Sequence, residues 1–108
     1  MNINDYIILS HSTIYDALVK IEKNKHRSLI VVNDENKVLG SLSDGDIRKG
    51  LINHILLDAP VNKVMNLNFK KLFNSYKEED LEKTFNDYNI FIVPIVDDKI
   101  NLLDVKIR

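Results

Sequence analysis

The sequence predicts a mixed α/β (α+β) fold: two tandem β-α-β-β-α repeats form one pseudo-two-fold domain, and the second repeat lacks its last helix. The 108 residues are 44% hydrophobic and 29% charged, the balance of one globular domain. Strand-like apolar runs and helix-like apolar stripes alternate in a fixed order. That order returns after a shift of 64 positions, which divides the chain into residues 1–60, with the connector, and 61–108.

The first strand and helix of the first repeat are predicted within residues 6–24. Residues 6–9 are a short apolar run typical of a strand, and Ser12 is predicted to cap a helix over about residues 13–24. One apolar stripe marks the buried face of this helix: Ile14, Ala17, Leu18 and Ile21. Basic residues near its C-terminus complement the helix dipole and need no functional role: Lys23, Lys25, His26 and Arg27.

A hairpin and a second helix complete the first repeat. Residues 29–32 and 38–42 are apolar runs on either side of a polar turn, which predicts two antiparallel strands. A helix is predicted to begin after Ser43, with Ile47 and Leu51 on its buried side because they lie four residues apart.

The second repeat follows the same order more faintly. A helix is predicted over residues 78–88, and residues 93–96 match the strand at 29–32. The stripe of this helix is Leu81, Phe85 and Tyr88. The connector is predicted at residues 53–63, where Pro60 disfavours helix for the residue before it.

Composition and charge exclude several classes of function. A net charge of −1, with lysines interleaved among acids, gives no field to attract nucleic acid or an anionic membrane. Neither a signal peptide nor an apolar run of about 20 residues is present, and the lack of cysteine fits a reducing compartment, so a cytoplasmic protein is expected. Without a P-loop, a nucleophile with its base or a metal cluster, the chain is not expected to be an enzyme by itself.

The strongest candidate site is the strand-to-helix junction GSLSDGDIRKGL at residues 40–51. Ser43 as N-cap can accept from the backbone N–H of Asp46 while the Asp46 carboxylate reaches back, a variant of the capping box. Gly40 lets a backbone or a ligand approach closely, and Arg48 can add positive charge near a phosphate. The free N–H groups of a helix N-terminus suit a phosphate.

Two other interpretations of this junction stay open. Ser43 and Asp46 form a capping motif whether or not a ligand binds, so a purely structural role explains them as well. Asp44 and Asp46 can also share a hard cation, although the further acids of a calcium loop are missing.

The chain resembles a tandem pair of CBS domains, or Bateman module. The resemblance is carried by LIVVNDENKVLGSLSDGDIRKGL, by VNKVM between the repeats and by VPIVDD in the second repeat. It implies a small-molecule nucleotide such as AMP, ADP or ATP in the cleft between the repeats, with no required cofactor. It further implies a phosphate at Ser43, ribose hydroxyls at Asp46, and the base near Leu29, Ile30 and Ser12.

The resemblance also implies a regulatory role for an attached domain. SDGDIRKGL followed by LLDAPVNKVMN is similar to CBS pairs fused to sugar-nucleotide-forming nucleotidyltransferases and to arabinose-5-phosphate isomerases. The position of Met1 directly before the first repeat favours the nucleotidyltransferase, in which the pair precedes the catalytic domain. A homodimer is expected, and a ligand-free dimerisation module is the alternative.

The second repeat is expected to lack a ribose-phosphate site. Counting back from its end places Ile100, Leu103 and Lys106 opposite Gly40, Ser43 and Asp46. Aligning from the turn moves these positions by one or two residues and still supplies no matching hydroxyl and acid. At most one nucleotide per chain is therefore predicted.

Overall fold

The computed structural model describes residues 2–108, so Met1, on which the expected order of domains depends, lies outside the described residues. These residues form three helices and two three-stranded sheets, which confirms the predicted fold class. The first repeat contains β1 Ile7–Leu9, α1 Ile14–Asn24, β2 Ser28–Val32, β3 Val38–Ser43 and α2 Asp44–Ile52. The second contains β4 Leu72–Phe73, α3 Glu78–Tyr88, β5 Ile92–Val96 and β6 Leu102–Ile107.

The two sheets have the same topology and the same register. In each sheet the first strand runs parallel to the second, and the second pairs antiparallel with the third. Ser28 pairs with Ser43 in the first sheet, and Ile92 pairs with Ile107 in the second, an offset of 64 for both residues. The predicted repeat is thus confirmed across the whole strand-helix-strand-strand unit.

Alternation along β2 decides which way its side chains face. Leu29 and Val31 pack with the residues of α1 and α2, whereas Ile30 and Val32 pack with residues of the second sheet. Successive side chains of a strand point to opposite faces, so the first sheet is covered on both sides. The repeats are joined through their sheets, as predicted.

The N-cap of α1 is Thr13, not Ser12. Thr13 Oγ1 accepts from the backbone N–H of Asp16 at 3.1 Å, and the Asp16 carboxylate accepts from the N–H of Thr13 at 3.2 Å. This capping box satisfies two N–H groups, and Ser12 has no acid three residues later to form one. The prediction for Ser12 was therefore wrong by one residue.

The buried face of α2 differs from the predicted one. Ile47 is 2% exposed, as expected, but Leu51 is 41% exposed. Near its C-terminal end, α2 packs through Gly50. A Cβ added at Gly50 would lie 2.3 Å from a methyl carbon of Val64. In the structure the connector between α2 and β4 comprises residues 53–71, longer than the predicted 53–63. Its close approach at Gly50 leaves Leu51 at the surface.

The connector packs against the first repeat before the chain enters the second. A short 3₁₀ helix, Val61–Lys63, places Val61 in the core of the first repeat. Ser41 and Asn66 then exchange backbone hydrogen bonds of 3.0 and 2.8 Å, so the connector lies beside β3. The division at residue 60 stays a prediction. No helix within residues 2–108 has the length and apolar character required to cross a bilayer.

Candidate functional site

A cleft of about 610 Å³ opens where α2 begins. Four segments line it: the residues leading into β2, the β3–α2 junction, the connector, and the stretch from the end of α3 into β5. Both repeats therefore contribute to its walls. The cleft is large enough for a small molecule, since ligand pockets commonly measure about 300–1,000 Å³.

Ser43 and Asp46 form the predicted capping box at this junction. Asp46 N–H donates to Ser43 Oγ at 3.2 Å, and Ser43 N–H donates to Asp46 Oδ2 at 2.9 Å. Ser43 Oγ also lies 3.0 Å from the same carboxylate oxygen, to which it donates. Within residues 2–108, Asp46 Oδ1 has no hydrogen-bond partner, so this oxygen can accept from a ligand hydroxyl.

Four of the residues predicted to bind a ligand meet in this cleft: Ser43, Asp46, Ile30 and Arg48. Ser43 and Asp46 are half-buried at the helix start, and Ile30 contributes an apolar surface from β2. The Arg48 guanidinium extends back along the first turn, since an added Cβ at Gly45 would lie 3.7 Å from its Nη2 atom. The arrangement combines an apolar wall, a free carboxylate oxygen and a cation.

Three other predicted ligand residues lie outside this cleft. Leu29 is fully buried on the helix side of the sheet, because β2 alternates and Ile30 faces the opposite way. Gly40 faces the connector, where an added Cβ would lie 2.8 Å from the Asn66 carbonyl oxygen. Its small size admits a neighbouring backbone, one of the two roles considered for it. Ser12 lines a separate groove of about 380 Å³.

Arg27 also lines the cleft, although its sequence position predicted only a contribution to the helix dipole of α1. It precedes β2 directly and has a left-handed backbone with φ of 61°, and its carbonyl accepts from the N–H of Asp44 at 3.2 Å. Because Ser28 pairs with Ser43, the residue before β2 must lie beside the start of α2. The pairing register of the β2–β3 hairpin would have indicated that Arg27 lies at this site. Connector and α3 residues that also line the cleft were not anticipated: Asn66, Asn68, Phe69, Lys70 and Tyr88.

The register of the second repeat corrects the comparison made from the chain end. The offset of 64 places Asp104 opposite Gly40 and Ile107 opposite Ser43, instead of Ile100 and Leu103. The counterparts therefore move by four residues, so the shift of one or two residues expected from the turn was also wrong. The counterpart of Asp46 would be residue 110, so Lys106 is not its equivalent. The comparison from the chain end was wrong because it matched Ile107 with a residue of α2, whereas Ile107 is the last residue of β6. Ile107 still offers no hydroxyl for a cap or a phosphate.

One position of the pseudo-symmetric counterpart of the cleft holds a buried aromatic side chain. Tyr6 is the counterpart of the cleft residue Lys70, and its side chain is 6% exposed. The Tyr6 hydroxyl lies 3.0 Å from His26 Nδ1, and the two rings meet edge to face.

The alternative of a cation bound by Asp44 and Asp46 finds no further ligand. Residues 2–108 contain no group of three or more acidic, histidine or cysteine side chains that could hold a metal ion, so these two carboxylates have no third ligand there.

The comparisons with known proteins agree with this architecture. The family model of the CBS domain matches residues 1–53. The crystallised CBS domains of a transcriptional regulator from Streptococcus pneumoniae superpose over both repeats, with a TM-score of 0.82, 21% identity, and coverage of 97% of this chain and 85% of that one. The chain folds as a CBS domain pair.

Two CBS proteins of similar fold were solved with nucleoside ligands. The structure of CBSX2 in complex with AMP has a TM-score of 0.79 and 21% identity, covering 94% of this chain and 80% of that one. The CBS domain pair of protein MJ0100, in complex with 5′-methylthioadenosine and S-adenosylmethionine, has a TM-score of 0.75 and 22% identity, covering 94% and 82%. These two CBS proteins therefore bind nucleosides or nucleotides.

Curated relatives extend well beyond the length of this CBS pair. An uncharacterized protein of Helicobacter pylori (strain J99) is 33% identical over 104 residues, which are 92% of this chain and 30% of the relative. Arabinose 5-phosphate isomerase GutQ of Escherichia coli O6:H1 is 26% identical over 87 residues, 81% of this chain and 27% of that protein. The chain spans less than a third of the curated relatives it matches.

Proposed function

We propose that this CBS domain pair is a regulatory module that binds an adenosine nucleotide, or a related nucleotide, in the cleft at the start of α2. The observation that carries the proposal is the meeting of Ser43, Asp46, Ile30 and Arg48 in one cleft, together with Arg27. The AMP complex of a CBS protein with the same fold supports it. The separate groove at Ser12 does not combine these groups.

Each of these residues has a distinct role in the proposal. The phosphate lies at the first turn of α2, where the guanidinium groups of Arg27 and Arg48 can donate to it. The Ser43 hydroxyl can also donate to it once its proton turns away from Asp46 Oδ2. A ribose hydroxyl donates to the free Oδ1 of Asp46, while Oδ2 keeps the helix cap. The base lies against the apolar surface at Ile30.

The regulated partner is proposed to be a fused sugar-nucleotide-forming nucleotidyltransferase, on the resemblance of SDGDIRKGL to such CBS pairs. A sugar-phosphate isomerase is the second candidate, supported by the 26% identity with GutQ. Either enzyme would occupy a longer chain, in keeping with the larger size of the curated relatives. A cytoplasmic location belongs to the proposal, because these enzymes act on phosphorylated metabolites.

Nucleotide-dependent stabilisation tests the binding proposal. A ligand that binds only the folded chain should add about 2.7 kcal/mol at 100 times its dissociation constant. AMP, ADP or ATP should therefore raise the midpoint temperature of thermal unfolding, and Mg²⁺ alone should not. A midpoint that stays constant with every nucleotide would support the ligand-free dimerisation module, and a rise with Mg²⁺ alone would support the acidic pair as a cation site.

A homodimer is also part of the proposal. Large apolar side chains, 41–69% exposed, cover the outer face of the first repeat: Tyr15, Val19, Leu51, Ile52, Leu56 and Leu57. The offset of 64 puts Glu79 and Lys83 at the positions of Tyr15 and Val19, so α3 has no matching apolar patch. Burial of such a patch against a second copy would remove apolar surface from water.

Sedimentation velocity tests this assembly with a matched pair of variants. The parent chain should sediment as a dimer, Val19→Asp should weaken the dimer by at least about tenfold, and Lys83→Asp should have little effect. The expected difference follows from placing a charge within the apolar patch in one variant and outside it in the other. A monomer at high concentration of the parent chain would refute the dimer.

A further inference from the structure

Cationic side chains converge on the cleft from three separate parts of the chain. Arg27 precedes β2, Arg48 lies on α2, and Lys70 belongs to the connector. Within residues 2–108, neither guanidinium has a hydrogen-bond or ion-pair partner. The Lys70 ammonium lies 4.3 Å from the centroid of the Tyr88 ring, a contact with no opposite charge.

Arg48 is an exposed cation beside the start of α2. Its guanidinium extends back beside Gly45 in the first turn, although the N-terminus of a helix carries partial positive charge. Arg27 also lines the cleft, and its backbone carbonyl accepts from the N–H of Asp44 in the same turn. Of the two carboxylates in the cleft, Asp44 and Asp46, the latter already binds Ser43. The cleft is lined by three cationic side chains, Arg27, Arg48 and Lys70, and by two carboxylates, so an anionic ligand group would balance its net positive charge.

Lys70 stands apart from the two arginines because it approaches from the connector. Its ammonium lies over the face of the Tyr88 ring, and such a contact is weaker than a charge-assisted hydrogen bond to phosphate. A single phosphate at Ser43 can be bound by Arg27 and Arg48 alone. A second phosphate would extend from that position and give Lys70 a stronger partner than the ring.

We propose that the cleft selects nucleotides with a diphosphate group, and that Lys70 leaves the Tyr88 ring to bind the second phosphate. This inference rests on the proposed nucleotide site and specifies its ligand class. Neutral or cationic nucleosides such as 5′-methylthioadenosine and S-adenosylmethionine should bind more weakly, because they offer no phosphate to the three cationic side chains. Lys70 is then the residue that distinguishes a diphosphate from a monophosphate.

Calorimetric titration of the chain with ADP, AMP and 5′-methylthioadenosine tests the inference. ADP should bind about tenfold more tightly than AMP, the effect of one added charge-assisted hydrogen bond, and 5′-methylthioadenosine should bind most weakly. Lys70→Met should bring the ADP affinity down to that of AMP and leave AMP binding unchanged. Lys71→Met is the matched control, because Lys71 lies 5.3 Å from the Phe69 ring centroid and does not line the cleft.

The outcomes separate this inference from the broader proposal. Equal affinities for ADP and AMP in the parent chain, or full ADP affinity in Lys70→Met, would overturn the diphosphate selectivity while nucleotide binding stands. The same holds if 5′-methylthioadenosine binds as tightly as ADP. Binding of none of the three compounds would overturn both. Thermal unfolding of each variant checks that the chain is folded. Lys70 is partly buried and lies outside the hydrophobic core clusters, so its replacement should not disturb the core.

Discussion

Replacing Leu29 by alanine is expected to lower the free energy of unfolding by about 2–5 kcal/mol. The side chain is fully buried and packs in the first core with Ile14, Leu42 and Ile47. Its removal leaves a cavity between the sheet and the two helices that the neighbours fill only in part. Chemical denaturation of the parent and the variant, analysed at constant m-value, measures the difference.

Leu67→Ala is the control for this prediction, because Leu67 is 73% exposed in the connector. Its effect should stay within about 0.5 kcal/mol, as for most surface substitutions. If Leu29→Ala were no more destabilising than Leu67→Ala, the assignment of Leu29 to the core would be contradicted. A role for Leu29 in contact with the ligand would then regain support.

Asp46→Asn is expected to weaken nucleotide binding by about tenfold with little change in folding. The amide oxygen can still accept from the N–H of Ser43, so the helix cap survives. The variant loses the negative charge with which the second carboxylate oxygen would accept from a ribose hydroxyl, and a charge-assisted hydrogen bond contributes about 1.5–3 kcal/mol. Calorimetry with ADP measures the affinity, and thermal unfolding without ligand measures the effect of the substitution on the stability that the helix cap provides.

Asp16→Asn provides a closely matched control. Asp16 occupies the same capping-box position in α1 as Asp46 does in α2, but it lies outside the candidate cleft. Both substitutions should have the same small effect on stability, and only Asp46→Asn should reduce affinity. Parent-like affinity in Asp46→Asn would mean that this carboxylate serves the helix start alone.

Local sequence signals were sufficient for the helices. The apolar stripe of α1 and the capping box at Ser43 both depend on residues within one or two turns, and the structure confirms them. The error at Ser12 was avoidable, since Thr13 is the hydroxyl residue with an acid three positions later. Leu51 was misplaced for a different reason, because packing of the connector against Gly50 is a long-range contact.

The candidate site was predictable only in part, because strand facing and register are long-range properties. The run at β2 is apolar on both faces, so no alternation in the sequence distinguishes Leu29 from Ile30. Arg27 joins the site only through the pairing of Ser28 with Ser43. Ser43 and Asp46 were found because their capping geometry is local.

The register of the second repeat could have been fixed from its turn. Asn33 Oδ1 accepts from the N–H groups of Glu35 and Lys37, and Asp97 Oδ1 accepts from those of Lys99 and Asn101 at the positions 64 residues later. Hydrogen bonds from Asn101 also hold the pKa of Asp97 below its usual value. Side chains that bind their own turn are therefore better markers of this repeat than the chain end.

The central claim is that one chain binds one nucleotide, in the cleft at Ser43 and Asp46. Calorimetric titration of the chain with saturating ADP tests it most directly, because it counts sites and measures affinity together. One site per chain is predicted, since Ile107 and Asp104 replace Ser43 and Gly40 in the second repeat and Tyr6 is buried where Lys70 lines the open cleft. Two sites of comparable affinity, or no binding at saturating concentrations, would contradict the claim.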